Sequence, residues 1–141
     1  MEYREAVRLS WLVRQLCLEY ALSEKSVGYD FHACFDLESM CAVASMALRK
    51  ASNDTFRVMM GKYYDGDNYH SHCWAEYGLW TFDLTATQFG VKIPVLILRN
   101  DKWEGYNRRY WSGEEKNRYR DFDWGIEQSP TPRLIKAILE G

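Results

Sequence analysis

Apolar positions recur at helical spacing between residues 4 and 22. Val7, Trp11, Leu12, Leu16, Leu18 and Leu22 fall largely on one side, with Arg8, Arg14, Gln15 and Glu19 elsewhere. The pattern predicts an amphipathic helix with that stripe facing inward. The period lapses over residues 23–38, which carry Gly28 and Asp30 and read as a loop. A second helix is expected from about Met40 to Lys50. Ser39 suits its N-cap, Ala42, Ala44, Met46, Ala47 and Leu48 favour helix, and Asn53-Asp54 ends it. Strand character follows. The first run is Phe56 to Met60, extended by Tyr63-Tyr64 past Gly61. After the turn cluster Asp65-Gly66-Asp67-Asn68 come His72 to Tyr77 and Leu79 to Leu84, joined at Gly78; Ile93 to Leu98 is a fourth run. Residues 99–128 are polar and aromatic without a clean period. Pro130 and Pro132 introduce a short final helix, Arg133 to Leu139. Helices first and antiparallel strands after give an α+β class, N-terminal helices packed on an antiparallel sheet, in one domain spanning 1–141.

Composition narrows the function classes. With 47% hydrophobic and 27% charged residues the chain is not of the disordered type. The net charge is -2, and the basic run Arg108, Arg109, Lys116, Arg118 and Arg120 is interrupted by Glu114, Glu115, Asp121 and Asp123. That run reads as a solvated mixed-charge surface, so no nucleic-acid partner is expected. No segment approaches the ~18 consecutive apolar residues of a membrane span. Glu2, Arg4, Glu5 and Arg8 do not make a signal peptide. The expectation is a cytoplasmic protein, or one exported as an effector without a cleavable signal, with no membrane partner. Cys17, Cys34, Cys41 and Cys73 are then free thiols, and their reactivity becomes the question. The 6 Trp, 10 Tyr and 6 Phe include a C-terminal group from Trp103 to Trp124. Such residues suit a substrate cleft or a partner surface, although packing of a loop-rich segment onto the sheet is the plainer reading.

Cys41 carries the first chemical signal. With Ser39 as N-cap it lies in the first helical turn. There the unpaired N–H groups and the positive end of the helix dipole favour a thiolate and can donate to an oxyanion. Taken alone, its position reads more readily as that of a small buried hydrophobe. The strand pair adds the partners. A two-residue turn on Tyr77-Gly78 pairs Glu76 with Leu79, Trp74 with Thr81 and His72 with Asp83, so an aspartate can hold one imidazole nitrogen while the other faces a thiol. Singly, His72 is a strand histidine and Asp83 a cap for the turn at Thr85. Together with Cys41 they supply a nucleophile, its base and the group that orients the base. Cys73 points to the face opposite His72 and is not expected to share the nucleophile's role.

The segments Met40-Cys41-Ala42-Val43-Ala44-Ser45, His72-Cys73-Trp74-Ala75-Glu76 and Phe82-Asp83-Leu84-Thr85-Ala86-Thr87-Gln88-Phe89 resemble bacterial transglutaminase-like and papain-like cysteine proteins. That superfamily shares a Cys at a helix start followed by His and Asp on adjacent strands. The resemblance covers about residues 37–90. It implies a papain-like or transglutaminase-like core, with Cys41 as nucleophile, His72 as base and acid, and Asp83 as orienting group. It also implies a peptide or protein substrate and no cofactor. It does not select between hydrolysis and transfer. The expected activity is that of a cysteine peptidase or amidase working through a thioester. The alternatives are a transglutaminase or acyltransferase on the same triad, or an inactive scaffold serving as a protein-binding module. The second oxyanion donor is unassigned: Phe35-Asp36-Leu37-Glu38 holds no Gln before the Cys, which leaves Gln15 and Gln88 to consider.

Zinc is a competing chemistry. His32-Ala33-Cys34 and His70-Ser71-His72-Cys73 offer N and S ligands at short spacing, but no Cys-x-x-Cys knuckle accompanies them.

Overall fold

The second predicted strand is buried on both faces in its middle, and that placement organises the rest of the molecule. A computed structural model of the chain describes residues 1–23, 37, 40–122 and 130–141. The elements are α1 (Tyr3–Leu22), α2 (Cys41–Ala51), β1 (Arg57–Tyr64), β2 (Tyr69–Tyr77), β3 (Trp80–Asp83), β4 (Leu96–Arg99), β5 (Tyr110–Glu115) and α3 (Pro132–Leu139). The class is α+β, and the strands form one antiparallel sheet in the order β4-β3-β2-β1-β5. The expected loop at 23–38, the Ser39 cap and the His32–Cys34 pair lie almost wholly outside the described residues. The residue preceding α2 is Met40, which makes no side-chain cap.

One face of the sheet is covered by helices. α2 packs on β2 and against both α1 and α3. Cys73, Ala75, Val58 and Phe82 from the sheet meet Val13, Ala44, Leu48, Ile135 and Ile138 from the helices in the main core. α1 is rotated from the expected stripe. Ala6, Ser10, Val13, Arg14, Cys17 and Ala21 are buried, while Trp11, Leu12 and Leu22 are exposed. Small residues win this face because they let α1 approach α2 closely, whereas the larger apolar side chains cannot all fit between two helices. Arg14 turns inward and donates to the carbonyl of Leu84, tying α1 to the end of β3. At α3, Thr131 accepts from the Leu134 N–H at 3.1 Å and Pro132 occupies the first turn, the favoured chemistry of a helix start.

The β2–β3 hairpin corrects the expected register. Its two-residue turn is Gly78-Leu79 rather than Tyr77-Gly78. Tyr77 therefore pairs with Trp80, Glu76 with Thr81 and Ala75 with Phe82. Gly78 has a φ of 57° and Leu79 is exposed, so glycine takes the first central position, where a positive φ is required. The shift is two in pairing, which preserves the faces: His72 and Asp83 stay on one side, now as diagonal neighbours, with Trp74 opposite Asp83. Cys73, Ala75 and Phe82 stay on the core side.

The second face of the sheet is covered by chain that the sequence pattern left unassigned. Residues 84–95 and 100–109 lie against it, carrying short 3-10 turns at Ala86–Phe89 and Gly105–Arg109, and β5 then extends the sheet beside β1. A small second cluster of Ala86, Val91 and Leu96 forms there, with Leu98 and Tyr110 against it. Among the described residues no helix is long and apolar enough to cross a membrane.

Candidate functional site

His72 projects from the middle of β2 and is fully buried. Its Nε2 lies 2.7 Å from Oδ2 of Asp83, the last residue of β3, which is also fully buried. Asp83 is held by more than the histidine. Oδ2 accepts from the Tyr110 hydroxyl at 2.6 Å, and Oδ1 accepts from the Thr85 backbone N–H at 2.9 Å. Asp83 thus caps the chain reversal at Thr85 and orients His72 at once, so the two sequence readings of this residue coexist. Burial alone would raise the Asp83 carboxyl, but the imidazole, the Tyr110 hydroxyl and the Thr85 N–H bring it below the ordinary range.

Aromatic rings box the imidazole. Phe89 meets it edge-on at a centroid distance of 4.9 Å, Tyr63 at 5.7 Å, and Trp74 lies at 6.1 Å. Trp74 is itself seated in a slot between two glycines. A Cβ on Gly61 would come within 2.9 Å of its ring and within 2.3 Å of the Trp111 carbonyl, and one on Gly113 within 2.8 Å of the ring. Glycine is therefore demanded at both positions by close approach.

Cys41 is the first residue of α2 and is 5% exposed. Its sulfur is within interaction range of the Cys73 thiol and backbone and of the His72 ring. The Cys73 thiol lowers the Cys41 pKa most; burial opposes it, and His72 adds to the lowering, leaving Cys41 well below 9.0. Burial would depress His72, but the charge and hydrogen bond of Asp83 outweigh it and lift the imidazole to about 10. Nε2 is taken by Asp83. Nδ1 is buried and completes no hydrogen bond among the described residues, which leaves it as the nitrogen available to the thiol. Both shifts favour a thiolate–imidazolium pair. Cys73, although on the opposite face as expected, adjoins the Cys41 sulfur and is itself pushed far up. Cys17 is pushed up to about 12 by burial.

The three residues singled out from the sequence are thus brought together. The other candidates are not. Gln15 is exposed and donates to Glu19 at 3.3 Å, and Gln88 donates to the Thr85 hydroxyl at 3.2 Å. Neither reaches Cys41 as an oxyanion donor; the unpaired N–H groups of the first turn of α2 remain the donors at hand. His70 is engaged by Asp65 at 2.7 Å. Among the described residues no group of three or more His, Cys, Asp or Glu side chains is gathered for a metal. The residue missed from sequence is Tyr110, whose strand shows no clean alternation. The Tyr110-Trp111 pair, strong in strand preference, was the available signal.

Comparisons of the chain with family models, curated proteins and solved structures returned no match.

Proposed function

We propose that the chain is a thiol-dependent acyl-transfer enzyme, a cysteine peptidase or amidase, with the Cys41–His72–Asp83 triad on a papain-like or transglutaminase-like core. The observation that carries this reading is the buried 2.7 Å contact between His72 Nε2 and Asp83, with a lowered Cys41 thiol beside the same ring.

The steps follow from the groups. The Cys41 thiolate attacks an amide carbonyl carbon, and the oxyanion is met by N–H groups at the start of α2. The His72 imidazolium passes its proton to the departing amine as the C–N bond breaks, leaving a thioester on Cys41 and a neutral imidazole. Water, deprotonated by His72, then attacks the thioester; the C–S bond breaks, the acid departs and the thiolate–imidazolium pair is restored. An amine in place of water makes the same site a transglutaminase or acyltransferase. Asp83 holds the Nε2–H tautomer throughout and balances the imidazolium charge.

Iodoacetamide at mildly acidic pH tests the assignment. Cys41 should be labelled ahead of Cys17 and Cys73, whose thiols are pushed up, and ahead of Cys34. A peptide-amide substrate library should then be turned over by the chain and not by Cys41→Ala. Labelling of another cysteine first would overturn the nucleophile. The burial of Cys41 and the exposed Tyr69, Trp103 and Trp111 favour one second reading, an inactive scaffold that binds a protein. A Cys41 thiol no more reactive than free cysteine would support it.

A further inference from the structure

A cavity of about 210 Å3 lies on the face of the sheet that carries His72 and Asp83. Trp74, Trp103, Tyr110, Glu76, Asn100 and Lys102 are among its lining. Two of these residues belong to both places: Tyr110 donates to Asp83, and Trp74 neighbours the His72 ring. Whatever fills the cavity therefore sits next to the His72–Asp83 pair.

Glu76 is the unusual member. It is half-buried, and its carboxylate is met by neutral donors, the Asn100 amide at 2.7 Å and the Trp74 side chain. Arg57 stands opposite it across the β1–β2 pair but turns its guanidinium to the Gly78 carbonyl at 3.5 Å. Among the described residues Glu76 has no ion pair within 4.0 Å. Burial raises its pKa more than Arg57 and the neutral donors lower it. Lys102 also lines the cavity but is exposed and makes no ion pair with Glu76. A partly desolvated carboxylate among aromatic faces gains from a cation with an apolar stem, because the cation supplies the missing counter-charge and its methylenes cover the rings.

We propose that this cavity is a specificity subsite for a cationic side chain of the acyl-donor substrate, lysine or arginine, with Glu76 meeting the charged head and Trp74 and Trp103 flanking the stem. The proposal rests on the acyl-transfer reading above.

Peptidyl chloromethyl ketones that differ in one side chain, lysine, norleucine or glutamate, test it on the intact chain. The Cys41 sulfur displaces chloride from the probe's methylene, forming a thioether, and mass spectrometry follows the adduct. The lysine probe should react at least about tenfold faster than the norleucine probe, with glutamate slowest. In Glu76→Gln the lysine-to-norleucine ratio, read within that variant, should fall toward one. Trp103→Ala, a change at an exposed residue, should lower the same ratio. If all probes alkylate Cys41 far faster than free cysteine but at equal rates, or glutamate leads, the subsite is overturned and the acyl-transfer reading stands. If no probe alkylates Cys41 faster than free cysteine, the acyl-transfer reading falls and the subsite with it.

Discussion

Tyr110 and His72 meet on one atom: Oδ2 of Asp83 accepts from both, at 2.6 and 2.7 Å. The hydroxyl spreads the carboxylate charge and so weakens its grip on the imidazolium. Tyr110→Phe should leave the sheet intact, at a cost of about 1.5–3 kcal/mol for a hydrogen bond to a charged group. Asp83, freed of one donor, should hold the imidazolium more strongly. The His72 imidazolium should then lose its proton at a higher pH than in the wild type, followed by NMR titration of the imidazole resonances. A His72 titration that stays in place would make Tyr110 a purely structural contact.

Asp83→Asn tests the orienting role. The amide removes the charge that lifts His72, and its NH2 group cannot accept from both Tyr110 and His72 at the Oδ2 position. The Cys41 alkylation rate near neutral pH should drop by at least about tenfold. Circular dichroism should show the folded sheet, since asparagine can still accept from the Thr85 N–H. A variant that melts early yet keeps normal thiol reactivity would reduce Asp83 to its capping role.

The triad was legible because parity is robust where register is not. Placing the turn on Tyr77-Gly78 instead of Gly78-Leu79 shifts the pairing by two, which moves His72 from opposite Asp83 to its diagonal but keeps both on one face. The α1 stripe failed for a different reason. Spacing identifies a helix but not which side a close helix neighbour selects, and here Ala6, Ser10, Cys17 and Ala21 allow the approach that Trp11 and Leu12 would block. β5 was hidden by its own irregularity. Its register with β1 shifts between Met60 and Lys62, and Ser112 has a φ of 54°, so no alternation survives in the sequence. Tyr110, the fourth member of the site, is hidden with that strand. The hydrogen bonds that shift the pKa values are long-range in sequence, and no local pattern announces them.

The two glycines that flank Trp74 should be intolerant of side chains. A Cβ at Gly61 would stand 2.3 Å from the Trp111 backbone carbonyl, which has no means to swing aside. Gly61→Ala should destabilise the fold by about 1–3 kcal/mol through overpacking. At Gly113 the near atom is on the Trp74 ring, 2.8 Å away, a side chain that can shift and that neighbours the His72 ring. Gly113→Ala should therefore cost less in urea denaturation than Gly61→Ala and slow Cys41 alkylation more. The reverse order would disconnect the Trp74 slot from the triad.

The charge state of the site can be read from stability alone. Over the window from the ordinary 6.5 of imidazole to the ordinary 9.0 of a thiol, the unfolded chain carries a neutral His72 and a protonated Cys41, one proton in all. A folded thiolate–imidazolium pair also carries one proton, so this pair gives the wild type no slope with pH in that window. Cys41→Ala removes the thiol proton from the unfolded state but keeps the imidazolium in the folded state, where Asp83 raises His72. The folded variant then binds one more proton than the unfolded one. Stability from the raised histidine is complete below 6.5 and is lost as pH rises through its folded value, which Asp83 still lifts above 6.5 although the Cys41 contributions are gone. Unfolding free energy of Cys41→Ala should therefore fall, by up to about 1.4 kcal/mol per pH unit, while the wild type stays level by comparison. Asp83, with its lowered carboxyl, is ionised in both states throughout and loses its contribution only on acidification below the ordinary 3.8. Urea denaturation of both proteins at half-unit steps measures the difference in slope. Equal downward slopes would mean a protonated thiol beside the imidazolium, and two level curves a neutral histidine; either result would remove the ion pair from which the proposed chemistry starts.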